Sequence, residues 1–396
     1  MSAPASGTKD WALWPDAAKV TPYTIGVEEE VMLLSPRDFS LASEIDAVLE
    51  PLTKELGVHV TAETHGSAIE LATGINADVP SAAAELTSMR RKTGQILDPM
   101  GLRAASAGTH PSAVWSETKV SSGERYQFVY GSMRELARRE PTFAVHVHVG
   151  VPDPENAIKL VNRLRAHAPL LLALSVNSPF WQGRDTGLSS ARTPLFQAFP
   201  RVGIPRRFED YADYVETVDL LLRCEAFPEP TFLWWDIRPQ PRFGTVEVRI
   251  MDAQTTVDET AALVALVQSI AKLEIEEGFA DDMLCGSPEV LDENRFLAAR
   301  DGMHARLIVP SAERRVPARE LLNDLLEAAG PHAGELGCYE QLSWIGELAD
   351  STGSVRQLAV SREGDRLEGL VSAMSDSFAV EPGSRRPSRL EIGSRY

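Results

Sequence analysis

Four segments of the sequence alternate aliphatic with ionisable residues, and the ionisable members are types that bind metal ions and phosphate. Thr24–Leu34 carries Glu28 and Glu30, and Ser67–Ala72 carries Glu70. Phe143–Val151 carries His146 and His148, and Phe243–Met251 carries Glu247 and Arg249. Side chains of an extended strand point to alternate faces, so residues two apart share one. Val27, Val31 and Leu33 then oppose Glu28 and Glu30, while Ile69 and Leu71 oppose Glu70. Val145, Val147 and Val149 oppose the two histidines; Val246, Val248 and Ile250 oppose Glu247 and Arg249. Joined in one sheet, these strands would gather Glu28, Glu30, Glu70 and Glu247 on a common face. Carboxylates so gathered repel unless a cation sits among them. Mg²⁺ or Mn²⁺ is the natural occupant, a hard cation that takes oxygen ligands and keeps phosphate in its shell. Arg249, two residues from Glu247, would stand beside it and balance a transferring phosphoryl group. The same alternation sends Glu29 to the apolar face, where it needs a partner or a local bulge.

Other readings of these residues exist. A solvated antiparallel sheet also alternates Val with Glu and Arg, but such faces normally carry Lys and Thr as well. A His-x-His strand suits a zinc hydrolase, yet the chain has no HExxH and no further histidines at short ligand spacing. There is no Walker A loop, GxGxxG or GxSxG motif, so any ATP must be held through metal, arginines and backbone. Asn177, in the polar turn that ends Leu174–Trp181, is a candidate for substrate binding, as are Arg184 and Arg192 just after it. Arg238, following Trp234 and Trp235, is a candidate for substrate binding and catalysis, because a guanidinium grips carboxylate or phosphate bidentately. The chain has 32 arginines, so an arginine at any one position is ordinary.

The elements that must position these residues are partly legible. Asp153-Pro154 reads as a cap and first helical residue, with Pro169 further along as a kink. A second helix opens at Ser81, a third runs from about Asp258, and a fourth spans Phe208–Arg223. The C-terminal third after Glu289 reads as mostly helical, with segments near Ala318–Ala329 and Tyr339–Ala349. Thr231–Ile237 is a fifth alternating segment, and Phe199–Arg207 reads as a rigid, Pro-rich loop. Helices and strands mix without a βαβ rhythm, which points to an α+β fold with aliphatic strand faces covered by helices.

Composition bounds the partners. Of 396 residues, 43% are hydrophobic and 24% charged, an ordinary globular balance, and the formal net charge is −18. That acid excess argues against nucleic acid or an anionic membrane as partner. No apolar stretch is long enough to span a bilayer, and Met1–Ala18 does not read as a signal peptide. Cys224, Cys285 and Cys338 are scattered without a CxxC pair and read as free thiols in a reducing cytoplasm. One catalytic unit over residues 21–380 is expected, between loose tails at 1–20 and 381–396, although Trp11 and Trp14 could dock.

Several motifs occur in order: Gly26-Val27-Glu28-Glu29-Glu30, Gly108-Thr109-His110-Pro111, His146-Val147-His148-Val149-Gly150 and Ala173 to Pro179. They continue through Gly183 to Gly187, Trp235 to Pro239, Gly244 to Arg249, and Asn294-Arg295-Phe296. Together they resemble the carboxylate–amine ligase family called glutamate–cysteine ligase type 2, over about Pro22–Leu307. The resemblance implies a glutamine-synthetase-like catalytic fold: a curved, mainly antiparallel sheet with helices on one face and an open active-site face. It implies ATP-dependent joining of a carboxylate, typically the γ-carboxylate of glutamate, to an amine such as that of cysteine. By similarity Glu28, Glu30, Glu70 and Glu247 fall at Mg²⁺ ligand positions, with Glu63 a weaker candidate. His146 falls at a further site position and Arg249 at a phosphate-facing one, and His146, His148 and Arg249 are expected to bind the nucleotide. Phe296 stands where Trp is more usual and Ala144 where Gly often occurs, both away from the chemistry. The expected partners are small molecules, with the enzyme a cytoplasmic homo-oligomer. A His-x-His amide hydrolase and a silent nucleotide- or amino-acid-binding protein are the competing functions.

Overall fold

The computed structural model describes residues 9–139, 141–362 and 367–380. Seven strands form one antiparallel sheet: β1 (Ile25–Leu34), β2 (Val60–Ala62), β3 (Ala68–Ala72), β4 (Arg103–Ala105), β5 (Val145–Gly150), β6 (Ile237–Gln240) and β7 (Thr245–Val248). Their order is β6-β7-β5-β1-β3-β2, with β4 pairing the far end of β1. All four ionisable strands therefore lie in a single sheet, with β1 at its centre.

The expected faces hold. Val27, Val31, Ile69, Leu71, Val145, Val147, Val149, Val246 and Val248 are all buried on the reverse side. The helices that cover this side are α1 (Val79–Leu97), α2 (Pro154–Ser175) and α3 (Val257–Glu276). The α+β reading is thus borne out, but the opposite face is not open along its whole length. Met32, Leu34, Ala68 and Ala105 on that face pack with Phe180, Val360, Leu370, Val371 and Met374, a cluster that leaves out the stretch around Glu28 and Glu30 among the described residues.

Local signals explain most helix ends. Asp153 caps α2 by accepting from Asn156 N–H, with Pro154 at the first position. Thr256 and Glu259 form a reciprocal capping box that starts α3. The helix expected to open at Ser81 begins at Val79 instead, because Asp78 is the cap and accepts from Ser81 N–H. The Phe208–Arg223 helix begins at Tyr211, capped by Asp210. The C-terminal third is helical as read, notably over α4 (Ala318–Glu335), which packs on α3.

Two expectations fail. Thr231–Ile237 is not one strand: Pro230–Phe232 is a 3₁₀ turn, and Trp234–Trp235 pairs in parallel with Val202–Gly203 inside the Pro-rich segment. Nor is the N-terminus loose from residue 9 onward. Trp14 donates to Val151 O at 2.9 Å, Tyr211 donates to Ala12 O, and Trp11 and Trp14 pack edge-on to Tyr214 and Tyr211. The expected tail at 381–396 lies outside the described residues.

Candidate active site

Strand register decides which side chains meet. Glu28 stands opposite His146 on β5 and Ala72 on β3, and Glu30 stands opposite Glu70. Glu247 stands between His148 and Arg238. Cross-strand partners share a face, so Glu28, Glu30, Glu70, His146, His148, Glu247 and Arg238 line one surface.

Two electrostatic regimes divide that surface. Glu28 and Glu247 are compensated. His146 Nδ1 lies 3.0 Å and His148 Nε2 3.2 Å from the Glu28 carboxylate, and against the cost of burial they hold it well below its ordinary range. Arg238 Nε donates to Glu247 at 2.6 Å, Gln240 donates at 2.6 Å, and Arg249 also donates to it. Burial opposes the Glu247 charge, but the two arginines win and keep it ionised. The other half is compensated less than burial costs: Arg192 and Arg249 act on Glu30 without bonding to it. Glu30, Glu63 and Glu70 each offer an oxygen within 4.8 Å of the others. Burial, then the charge of Glu30, pushes Glu63 up to about 8, while burial and three neighbouring carboxylates raise Glu70 well above the usual range.

The donor set fits a hard divalent cation. Glu28, Glu70 and His146 form a second group within 4.8 Å, and His146 Nε2 is buried without a hydrogen-bond partner. Burial and Arg249 lower His146 to about 4, so its ring is neutral near pH 7 and keeps a free lone pair. Glu276, His332 and Glu335 also approach one another, but the Lys272 ammonium already sits on Glu276 and on Glu335, at 3.0 Å from the latter.

Beside the under-compensated carboxylates is a small cavity of about 60 Å³, lined among others by Glu30, Glu63, His146, Arg192, Phe196 and Arg249. The Nε atoms of Arg192 and Arg249 are both buried and without an acceptor. Two unspent cationic donors on a cavity wall suit an anion. The segment carrying Arg249 is pinned by its N–H, which donates to Asp236 O at 2.7 Å.

The expected ligand contacts are redistributed. Arg249 and Arg192 reach the cavity. Arg238, expected to touch substrate, instead spends every guanidinium nitrogen on the protein: Glu247, Thr231 O and Leu233 O. It is a clamp on Glu247. Asn177, also expected to bind substrate, is fully buried and bonded to Ala253 O, Thr255 Oγ1 and Gln357, so it ties loops together. Arg184 sits exposed on the short Phe180–Trp181/Arg184–Asp185 hairpin, outside the cluster. Glu63, no more than a weak candidate by sequence, is central. It follows β2 by one residue, where strand alternation gives no guidance.

Comparison with known proteins fits this geometry. The model of glutamate–cysteine ligase family 2 matches residues 24–373. The chain belongs to that family. A Rubrobacter xylanophilus protein provisionally named glutamate–cysteine ligase 2-1 is 39% identical over 367 residues, covering 91% of this chain and 97% of the relative. A Thermobifida fusca protein provisionally named glutamate–cysteine ligase 2 is 37% identical, covering 90% of each chain. Among solved structures, the fold is similar to that of glutamate–cysteine ligase from Francisella tularensis in complex with AMP, with TM-score 0.63, 13% identity and coverage of 91% and 89%. It is also similar to a bifunctional glutathione synthetase from Pasteurella multocida, with TM-score 0.66, 12% identity and coverage of 90% of this chain and 52% of that one. As a member of its family, the chain is an ATP-dependent carboxylate–amine ligase, which removes the ground for the amide-hydrolase reading.

Proposed function

We propose that this ligase joins the γ-carboxylate of glutamate to an amine such as that of cysteine, through an acyl phosphate, using Mg²⁺–ATP. The observation that supports this most is the pairing, around one small cavity, of clustered carboxylates that no arginine bonds among the described residues with two arginines whose Nε donors lack an acceptor. In the reaction a substrate carboxylate oxygen attacks the γ-phosphorus and ADP leaves. The amine nitrogen then attacks the acyl carbon, phosphate leaves, and a proton is lost from nitrogen.

Glu28, Glu30, Glu63, Glu70 and His146 would hold the metal, with Glu247 adjoining them. Bound there, Mg²⁺ supplies charge neutralisation for the phosphates of ATP. Arg249 faces the transferring group, and Arg192 faces an anionic substrate group from the other wall of the cavity. Glu247 and Arg238 keep the Arg249 guanidinium aimed. The Phe196 and Phe199 side of the cavity keeps water away from a hydrolysable acyl phosphate.

A screen of ADP release with Mg²⁺, ATP and glutamate against a panel of amines, followed by product mass, tests this reading. An amide with the mass of glutamate plus amine supports it. ATP binding without phosphate release across the panel would favour the silent binding protein. Three free cysteines fit the proposed cytoplasmic setting, and no helix among the described residues is long and apolar enough to cross a membrane. The catalytic unit proposed over residues 21–380 and the proposed homo-oligomer are checked by limited proteolysis and sedimentation.

A further inference from the structure

The reverse side of the sheet carries a charged group that the reaction does not use. Glu29, between Glu28 and Glu30, points into the helix-covered core and is fully buried. Its register partners there are Val145 and Leu71, neither of which can satisfy a carboxylate. Arg90 of α1 does so, donating through Nε and NH2 at 2.8 Å each, and Thr260 of α3 adds a third bond at 2.7 Å. Arg90 is itself fully buried and uses its remaining donors on three carbonyls: Gln254 at 2.9 Å, Thr255 at 2.9 Å and Phe378 at 3.2 Å.

These carbonyls place one side chain between two separate parts of the site. Glu29 fixes the strand from which Glu28 and Glu30 project to the other side. Gln254 and Thr255 end the segment that begins at Arg249 and runs through Asp252, whose carboxylate accepts from Asn177 N–H, Ser178 and Ser190. A sheet strand can tilt about its axis or slide by fractions of a residue, and either motion would move Glu28 and Glu30 together. A bidentate guanidinium resists both because its fork is planar and its two bonds are parallel. We propose that Arg90 is a positioning residue for the ligase site, holding the Glu28–Glu30 strand and the Arg249–Thr255 segment in fixed relation from beneath the sheet. This rests on the proposed metal and phosphate roles of those residues.

Support partners behind metal ligands typically carry about 10- to 100-fold in metal affinity. The test uses the full chain and Mn²⁺ as a spin probe, so it does not depend on knowing the amine. Arg90→Lys keeps the charge and loses the fork; Glu29→Gln keeps the shape and loses the charge. Each should weaken Mn²⁺ binding about tenfold and raise the Mg²⁺ needed for half-maximal ADP release by a similar factor. Glu274→Gln, which breaks a buried ion pair between α2 and α3 that involves none of the proposed ligands, is the control: its melting temperature should fall with Mn²⁺ binding unchanged. Should Arg90→Lys fail to fold, Glu29→Leu with Arg90→Met replaces the pair by apolar side chains of similar volume, a change that buried pairs often tolerate. Restored folding with weakened Mn²⁺ binding supports positioning. Wild-type Mn²⁺ affinity in the folded variants, with lower stability alone, overturns the proposal. If the wild-type chain binds no Mn²⁺, and Glu70→Gln changes nothing, the proposed function fails instead.

Discussion

Glu30 and Glu70 are direct cross-strand partners on β1 and β3, two carboxylates facing one another with Glu63 as the third corner and, among the described residues, no arginine bonded to either. Like charges directly opposite destabilise a sheet. The metal-free fold must therefore take up protons or bear repulsion at this point, as the raised Glu63 and Glu70 show, and a cation that replaces those protons should also stabilise the fold.

Adding Mg²⁺ should raise the melting temperature of the wild-type chain, by about 2.7 kcal/mol of stability at a hundred times the dissociation constant. Calorimetry with and without Mg²⁺ checks this. No shift at any Mg²⁺ concentration would argue against a metal at these carboxylates.

Glu70→Gln should make the metal-free protein more stable near neutral pH, because the wild-type carboxyl, raised well above its usual range, must take up a proton on folding or bear its neighbours' repulsion, and should abolish amine-dependent ADP release. Gain of stability with loss of activity is the pattern of a site held under strain for function. A melt and an ADP assay on one preparation decide it.

Glu247→Gln should behave in the opposite sense for stability. Its charge is paired with Arg238 and Arg249, and leaving two buried arginines without it should cost about 3–5 kcal/mol. Activity should fall by about 10²-fold or more, since Arg249 loses its aim. The contrast between the two glutamates, read by denaturant titration, separates compensated from under-compensated acids.

Asn177→Ala should lower stability by about 1–3 kcal/mol through unsatisfied buried partners, yet leave the KM for glutamate unchanged. A raised KM at unchanged stability would return Asn177 to the substrate pocket.

Acid sensitivity should trace in part to Glu274. Burial opposes its charge, but bonds from His167 and Arg163 hold it down to about 2, against an ordinary value of 4.5. Its pKa is depressed on folding, so its contribution is complete above about pH 4.5 and is lost as pH falls towards 2. Glu274→Gln should therefore flatten the decline of melting temperature between pH 5 and pH 3, relative to wild type.

The sheet was readable because period-two alternation is a local property: Val145 through Val149 announces both its faces without reference to any other strand. The same rule placed Glu29 among apolar neighbours, but its partner Arg90 lies 61 residues away on a helix, and no local pattern pairs them. The bonding of Arg238 and Asn177 is hidden from the sequence for a related reason. Residue type shows what a side chain can bond, whereas the structure shows that protein carbonyls and Glu247 had already taken those bonds. Glu63 was faint because it stands just beyond a three-residue strand, where the geometry that aims it comes from tertiary packing.

The Phe378 carbonyl on Arg90 closes a contact across 288 residues of chain. Synthesis proceeds from the N-terminus, so the strand with the acids and Arg90 leave the ribosome at least 288 residues ahead of the last member of their support. A nascent chain can pair its first strands long before that contact forms. Completion of the support thus trails the strands it holds, and truncation a few residues short of Phe378 would leave every proposed ligand in the chain but its foundation unfinished.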